Sequence, residues 1–122
     1  MRVLIVDDDP MVVESCRRIL VAEGIELTVA GSADYAESIL IAEAPFDLML
    51  TDIKMPKQDG FHLIAQARGA HPDLRVLMMT GYLTPETVER GRQCGANGFI
   101  AKPFTPDELV TAVRNTVKLM DE

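Results

Sequence analysis

Five polar residues stand at the ends of short apolar runs in this sequence. Asp7 and Asp8 follow the first run, Asp52 ends the third, Thr80 follows the fourth, and Lys102 follows the fifth. Continuous apolar runs bounded by turn signals are typical of strands that are buried on both faces of a parallel sheet. Because open α/β sheets bind their ligands outside the carboxyl ends of the strands, we expect these five side chains to converge on one shallow pocket.

The chemistry of these residues favours a metal-assisted phosphoryl site. Three carboxylates that lie close together repel each other, and those that stay ionised need a cation. A site of oxygen ligands that is partly open to water suits Mg²⁺. Lys102 adds a positive charge, Thr80 a hydrogen-bond donor and Asp52 an accessible nucleophile, so the pocket is equipped to accept a phosphoryl group. Each residue alone has an ordinary structural role, but their convergence at four strand ends favours a functional site.

A predicted alternation of strands and helices positions these residues. Strict alternation predicts parallel strands joined by right-handed crossovers, and therefore an α/β fold that is a three-layer α/β/α sandwich around a five-stranded parallel sheet. The expected strands cover Arg2–Val6, Ile25–Ala30, 46–52, Arg75–Met79 and Asn97–Ala101, and the expected helices begin near Pro10, Ser32, Phe61, Pro85 and Pro106.

Capping signals mark several helix ends. Asp9 is the expected N-cap of the first helix, and Thr105 and Glu108 are expected to form a capping box at the start of the last. The third helix is expected to end at Gly69. The fourth helix is predicted to be the weakest, because it is poor in apolar residues and contains Gly91.

Length and composition predict one soluble globular domain. The chain has 122 residues, 48% of them hydrophobic, and a formal net charge of −7, which argues against a surface that grips nucleic acid or an anionic membrane. Cys16 and Cys94 lack metal-ligand spacing and are expected to be small buried hydrophobes in a reducing compartment. No signal peptide or membrane-spanning run is visible, so we expect a cytoplasmic protein.

Four segments resemble the receiver (CheY-like) domain of two-component response regulators. Their order and spacing are specific to this family, and the resemblance extends along the whole chain. It implies a single receiver domain over residues 1–122 and the flavodoxin/CheY-like strand order 2-1-3-4-5. The segments are the acidic pair in Val6-Asp7-Asp8, the phosphoacceptor strand and loop in Thr51–Pro56 with Asp59-Gly60, the switch threonine in Met79-Thr80-Gly81, and the invariant lysine before a cis proline in Lys102-Pro103-Phe104.

The resemblance implies a role for each residue of the pocket. Asp52 would take a phosphoryl group from a phosphohistidine on a sensor histidine kinase or a histidine phosphotransfer protein, with Lys102 and Thr80 as its catalytic partners. Asp8, Asp52 and the backbone carbonyl of Lys54 would ligate Mg²⁺, and Asp7 would act through water. Such a domain promotes its own phosphorylation and dephosphorylation and is not a turnover enzyme.

The resemblance also implies a switch and a lifetime control. Thr80 and Phe99 would be the switch pair, which acts on a partner-binding surface made of helix 4, strand 5 and helix 5 and allows a phosphorylation-dependent dimer. Two variable positions, Lys54 and Tyr82, would stand on the rim of the pocket and tune the lifetime of the phosphoryl group. The sequence does not indicate the downstream partner. We expect the chain to be either a free-standing receiver or a piece of a larger regulator.

Three other interpretations share parts of this pattern. A flavin carrier of the same architecture would need a glycine- and hydroxyl-rich loop after strand 1, where this chain has Asp7-Asp8-Asp9. A phosphatase with an aspartate nucleophile usually has a second aspartate two residues on, where this chain has Lys54. The remaining alternative is a degenerate receiver that only binds proteins, independently of phosphorylation. Such relatives commonly lose one of the acids or the lysine, and all of these are present here.

Overall fold

A computed structural model describes residues 1–55 and 58–118 of the chain. Pro56, which belongs to the phosphoacceptor motif, and residues 119–122, which belong to the predicted domain, lie outside the described residues. Within the described part, the five strands of one sheet alternate with five helices along the chain. The strands are β1 (Arg2–Val6), β2 (Glu26–Ala30), β3 (Leu48–Asp52), β4 (Arg75–Thr80) and β5 (Gly98–Ala101), and the helices are α1 (Pro10–Val21), α2 (Ala33–Glu43), α3 (Gly60–Ala70), α4 (Pro85–Cys94) and α5 (Pro106–Lys118).

The five strands pair in parallel and form one sheet in the order β2-β1-β3-β4-β5. This is the predicted order and the predicted flavodoxin/CheY-like fold. A short antiparallel hairpin, in which Lys54–Met55 pairs with Gln58–Asp59, stands outside the sheet. The sequence did not indicate this hairpin, because each of its strands is two residues long and carries no periodic pattern.

Two apolar cores fill the space between the sheet and the helices on its two faces. Along each central strand, alternate side chains point to opposite faces. Met49 and Met78 join a core with α2 and α3, whereas Leu50 and Leu77 join a core with α1 and α5. β1, β3 and β4 are therefore apolar on both faces, which is why they appear in the sequence as continuous apolar runs.

The predicted caps are present at the helix ends. The Asp9 carboxylate accepts a hydrogen bond from the Met11 amide at 2.9 Å. The Thr105 amide donates to the Glu108 carboxylate at 2.8 Å, and the Glu108 amide donates to the Thr105 hydroxyl at 3.2 Å, which completes the capping box. These bonds satisfy helix amides that have no partner within the helix, and they fix where the helices begin.

The prediction that the third helix ends at Gly69 is wrong. α3 continues to Ala70, so Gly69 lies inside its last turn. The His71 amide donates to the Ala67 carbonyl at 2.8 Å. The Arg68 guanidinium, in the same turn, donates to the carbonyls of Pro72 and Leu74. These bonds outweigh the low helix propensity of glycine, which is worth only about 1 kcal/mol.

Both cysteines are free thiols, as expected from their positions in helices. Cys16 is buried in the core on the α1–α5 face, and burial, with the nearby charge of Asp7, raises the pKa of its thiol to about 11. Cys94 is half-buried against the core on the α2–α3 face. Across residues 1–55 and 58–118, none of the helices combines the length and apolar character that a bilayer crossing requires.

Candidate functional site

Four parallel strands end at the same edge of the sheet and bring the predicted site residues together. β3 ends at Asp52 and β4 at Thr80, while Asp7 directly follows β1 and Lys102 directly follows β5. Asp7, Asp52 and Thr80 are buried, Lys102 is half-buried, and Asp8 is exposed. The side chains that the sequence placed at separate strand ends thus form one cluster that opens to solvent on the Asp8 side.

Lys102 is the cation of this cluster. Its Nζ atom lies 2.8 Å from Oδ2 of Asp7 and 3.1 Å from Oδ2 of Asp52, so it joins the acids that follow β1 and end β3. Burial alone would lower the pKa of Lys102, but its hydrogen bonds to the two carboxylates outweigh burial, and its pKa is raised. Lys102 therefore stays charged at neutral pH.

The acids of the cluster carry more charge than Lys102 can neutralise. Asp7, Asp8 and Asp52 each offer a carboxylate oxygen, and these oxygens lie within 4.8 Å of one another. Burial raises the pKa of Asp7, although hydrogen bonds from Lys102 and from the Asp9 amide partly oppose this rise. An arrangement of oxygen donors alone, with one exposed member, fits a hard divalent cation such as Mg²⁺.

Glycine at position 60 allows the loop after Asp52 to fold back tightly. The Gly60 amide donates to the Ile53 carbonyl at 3.2 Å. A Cβ atom at position 60 would lie 2.7 Å from the Asp52 carbonyl oxygen and would also clash with the Ile53 backbone. In addition, the Lys54 amide donates to Oδ1 of Asp52 at 3.2 Å, so the loop itself orients the Asp52 carboxylate.

Thr80 is the last residue of β4, and Tyr82 lies in the loop that follows. The Thr80 hydroxyl oxygen accepts a hydrogen bond from the Tyr82 amide at 3.0 Å, and this bond leaves the hydroxyl hydrogen available for another acceptor. The Tyr82 side chain is 63% exposed. Its ring is covered by the ammonium group of Lys54, which lies 3.9 Å from the ring centroid. The sequence predicted both residues on the rim of the pocket, but it gave no signal for their contact.

Phe99 lies in β5 beside α4. It is half-buried and packs against the core on the α2–α3 face. A Cβ atom at position 91 of α4 would lie 2.9 Å from the Phe99 ring and 2.8 Å from the Met78 sulfur, so the aromatic ring occupies the space that Gly91 leaves open. The residue proposed as a switch on the basis of family resemblance is therefore in contact with the helix that it would have to move.

A cleft beside the acidic cluster contains residues that the sequence reasoning missed. Its lining combines Asp8, Lys54, Thr80 and Tyr82 with Asp59 and Arg90. The sequence marks Asp59 only as part of the phosphoacceptor motif. No sequence signal marks Arg90, because its neighbours become apparent only when α3 and α4 are packed side by side.

Solved structures with the same fold include receiver domains. The CheY-like response regulator receiver domain protein of Methanospirillum hungatei superposes with a TM-score of 0.90 and 32% identity, over 98% of this chain and 95% of that chain. The chemotaxis protein CheY4 of Vibrio cholerae superposes with a TM-score of 0.89 and 28% identity, over 94% of this chain and 97% of that chain.

Curated relatives of similar sequence are longer regulators. Transcriptional regulatory protein AruR of Pseudomonas aeruginosa is 35% identical over an alignment of 123 positions, which covers 96% of this chain and 49% of AruR. Response regulator MprA of Mycobacterium tuberculosis is 34% identical over 113 residues, which cover 93% of this chain and 49% of MprA. The chain thus spans about half the length of these relatives.

The response regulator receiver domain family matches residues 3–114, which include every residue of the acidic cluster and its lysine. By this match, and by its agreement with the fold, the chain belongs to the receiver domain family of two-component response regulators.

Proposed function

We propose that this receiver domain accepts a phosphoryl group on Asp52 from a phosphohistidine. The observation that carries the proposal is the position of the Asp52 carboxylate. One of its oxygens is 3.1 Å from the Lys102 ammonium, the other accepts the Lys54 amide, and both belong to a cluster that opens to solvent. The donor would be a sensor histidine kinase or a histidine phosphotransfer protein, and the exchange would take place in the cytoplasm.

The transfer replaces one bond to phosphorus with another. A carboxylate oxygen of Asp52 forms a bond to the phosphorus as the bond between the phosphorus and the donor imidazole nitrogen breaks. The electron pair of that bond stays on the imidazole, which takes a proton from water, and Asp52 becomes an acyl phosphate. An ammonium group has three donor hydrogens and Lys102 uses two of them on carboxylates, so the third is available for a phosphoryl oxygen.

The donor set of the site fits Mg²⁺ as the cofactor. Asp8, Asp52 and the backbone carbonyl of Lys54 would hold the ion, and Asp7 would contact it through water. When bound, the ion would neutralise charge on the phosphoryl oxygens. The protein residues supply the rest: Thr80 donates its hydroxyl hydrogen to a phosphoryl oxygen, and the hairpin that begins at Lys54 keeps the nucleophile in place.

The signal would pass from the pocket through Thr80 and Phe99 to a surface of α4, β5 and α5. A phosphoryl group adds about −1.5 to −2 charges, which draws the Thr80 hydroxyl toward it. Phe99 then moves inward into the space that Thr80 leaves. The resulting surface would bind a downstream partner, such as an output domain or a second receiver in a phosphorylation-dependent dimer. We propose that the receiver domain spans residues 1–122 and acts as a signalling module, not as a turnover enzyme.

Lys54 and Tyr82 are proposed to control the lifetime of the phosphoryl group. An acyl phosphate is hydrolysed by in-line attack of water, so a group that covers the approach slows hydrolysis. Neither side chain carries a carboxylate or amide that would orient the attacking water. Their stacking, with 3.9 Å between the ammonium group and the ring centroid, supports a shared role in shielding the site.

The proposal is tested by phosphorylation with acetyl phosphate and Mg²⁺, followed by intact-protein mass spectrometry. The wild-type protein should gain one phosphoryl group, and Asp52→Asn should gain none. Asp59→Asn is the matched control, because it changes a nearby acid that caps α3, and it should still be labelled. Undiminished labelling of Asp52→Asn would refute the assignment. If the wild-type protein itself were not labelled, a receiver that only binds proteins would be favoured instead.

A further inference from the structure

Helix α4 has few apolar contacts to fix its position on the sheet. Gly91 is its only buried residue, and Val88 and Cys94 are half-buried, whereas most of its other side chains are polar and exposed. A helix in a folded protein is stabilised mainly by packing of an apolar face. Contacts other than apolar packing must therefore contribute to holding α4 against its neighbours.

Arg90 supplies two such contacts, and both are made to the start of α3. Its Nη2 atom lies 3.1 Å from Oδ2 of Asp59, and its guanidinium carbon lies 4.2 Å from the centroid of the Phe61 ring. The other oxygen of Asp59, Oδ1, accepts the Phe61 amide at 2.9 Å and caps α3. One carboxylate thus joins the two helices, and one guanidinium binds both the cap residue and the ring that follows it. We call Arg90, Asp59 and Phe61 the α3–α4 clamp.

The clamp is attached to the loop that orients the phosphoacceptor. Asp59 pairs with Lys54 in the hairpin after β3, and the neighbouring Gly60 amide binds the Ile53 carbonyl. Arg90 also lines the same cleft as Lys54. A displacement of α4 relative to α3 would therefore break or lengthen the contacts of the clamp. One member of the clamp, Asp59, is connected to Asp52 through the hairpin.

We propose that Arg90 is a positioning residue that holds α4 in its resting place, and that the clamp is released when the domain switches. Contacts that exist in only one of two states bias the equilibrium toward that state, and they lower the affinity for any ligand that prefers the other state by the same factor. An ion pair between exposed side chains is worth about 0.2–1 kcal/mol, which corresponds to roughly a 1.4- to fivefold effect. The release step rests on the proposed function; the resting clamp does not.

The first test measures amide hydrogen exchange of α4 in the protein without metal or phosphoryl donor. Arg90→Ala and Asp59→Asn should each speed exchange about two- to fivefold. The double variant should exchange no faster than Arg90→Ala, because Arg90→Ala already removes the ion pair to Asp59 as well as the contact with the Phe61 ring. Asparagine remains a good N-cap, so Asp59→Asn removes the ion pair and keeps α3 capped. Arg92→Ala is the control, because within the described part of the chain the ion pair of Arg92 lies inside α4, with Glu89 at 3.9 Å. Additive effects, or an equal effect of Arg92→Ala, would overturn the clamp.

The second test measures the affinity for beryllium trifluoride, a stable substitute for a phosphoryl group, in the presence of Mg²⁺. Arg90→Ala and Asp59→Asn should bind it about two- to fivefold more tightly than the wild-type protein. Arg92→Ala should match the wild type. Unchanged or weaker binding by both clamp variants would overturn the release step. If the wild-type protein did not bind the probe, the proposed phosphoacceptor function would fail, while the exchange experiment would still decide whether the clamp exists.

Discussion

Lys102→Met is the substitution that tests the charge balance of the site most directly. It keeps a long side chain and removes the cation that joins Asp7 to Asp52. The Asp7 side chain is 0% exposed and the Asp52 side chain is 11% exposed, so water can replace only a small part of the lost interaction of the ammonium group with these carboxylates. The variant must either bury uncompensated negative charge or protonate a carboxylate. Both outcomes destabilise the metal-free protein.

The expected magnitude follows from burial. Removing one partner of a buried ion pair costs about 3–5 kcal/mol, because the other charge is left buried. Lys102 is 20% exposed, so we expect the lower end, about 3 kcal/mol. The matched control is Arg114→Met, because the ion pair of Arg114 with Glu23 is equally short, 2.8 Å, but its side chains are 52% and 37% exposed. An exposed pair of this kind should contribute no more than about 1 kcal/mol.

The assay is urea unfolding in the presence of a chelator, repeated between pH 5 and pH 9. In the variant, the hydrogen bond and charge that lower the pKa of Asp7 are gone, so burial raises this pKa further. An acid whose pKa is raised on folding stabilises the fold less as pH rises, since the folded state then holds the proton that the unfolded state has lost. The difference in unfolding free energy between wild type and variant should therefore shrink as pH falls.

Lys102 gives the wild-type protein a second pH dependence, at alkaline pH. Its pKa is raised above 10.5 in the folded state, so its contribution is complete below about pH 10.5 and is lost as pH rises through the folded value. The variant should lack this alkaline loss, which is measured by extending the urea series above pH 10.5. If Lys102→Met and Arg114→Met had similar effects, or if the effect of Lys102→Met did not change with pH, the idea of a buried acid pair compensated by Lys102 would be refuted.

Three further substitutions test other parts of the site and the fold. Asp8→Ala should weaken Mg²⁺ binding at least tenfold in isothermal titration, and it should slightly stabilise the metal-free protein in urea, because one repelling charge of the cluster is removed. Tyr82→Ala should speed loss of the phosphoryl group severalfold, by about 1 kcal/mol of barrier, when the decay is followed by mass spectrometry. Gly98→Ala should lower the unfolding free energy by about 1–3 kcal/mol, since its Cβ atom would collide with the Thr116 hydroxyl of α5.

The positions of the site residues at strand ends could be predicted, because the signals for them lie within short segments. An apolar run indicates a buried strand whatever surrounds it, and the residue at its end reaches the carboxyl edge once the strands are parallel. The polar residue after each run, such as Asp52 or Lys102, therefore has a predictable place. The capping box of α5 was equally local, because Thr105 and Glu108 satisfy each other's amides.

The contacts that could not be predicted all join separate elements. Lys54 and Tyr82 stack across the cleft, and Arg90 reaches from α4 to Asp59. Each of these side chains is polar or exposed and follows no periodic pattern, so the contact depends on how two loops or helices happen to pack. The end of α3 was mispredicted for a related reason, because bonds from the Arg68 side chain to the following loop outweigh the local preference of Gly69.

The charge balance of the cluster supports the proposed link between a chemical change at Asp52 and the position of α4. In the metal-free protein, Lys102 is shared between Asp7 and Asp52, and the pKa of Asp7 is raised by burial. The proximity of these acids therefore destabilises the metal-free fold. A cation or phosphoryl group would change this balance. It would therefore change the ion pairs of the Lys102 ammonium group and the hydrogen bonding of the Thr80 hydroxyl. Because α4 has little apolar anchoring, loss of the α3–α4 clamp, an exposed ion pair worth about 0.2–1 kcal/mol, would bias α4 toward a second position.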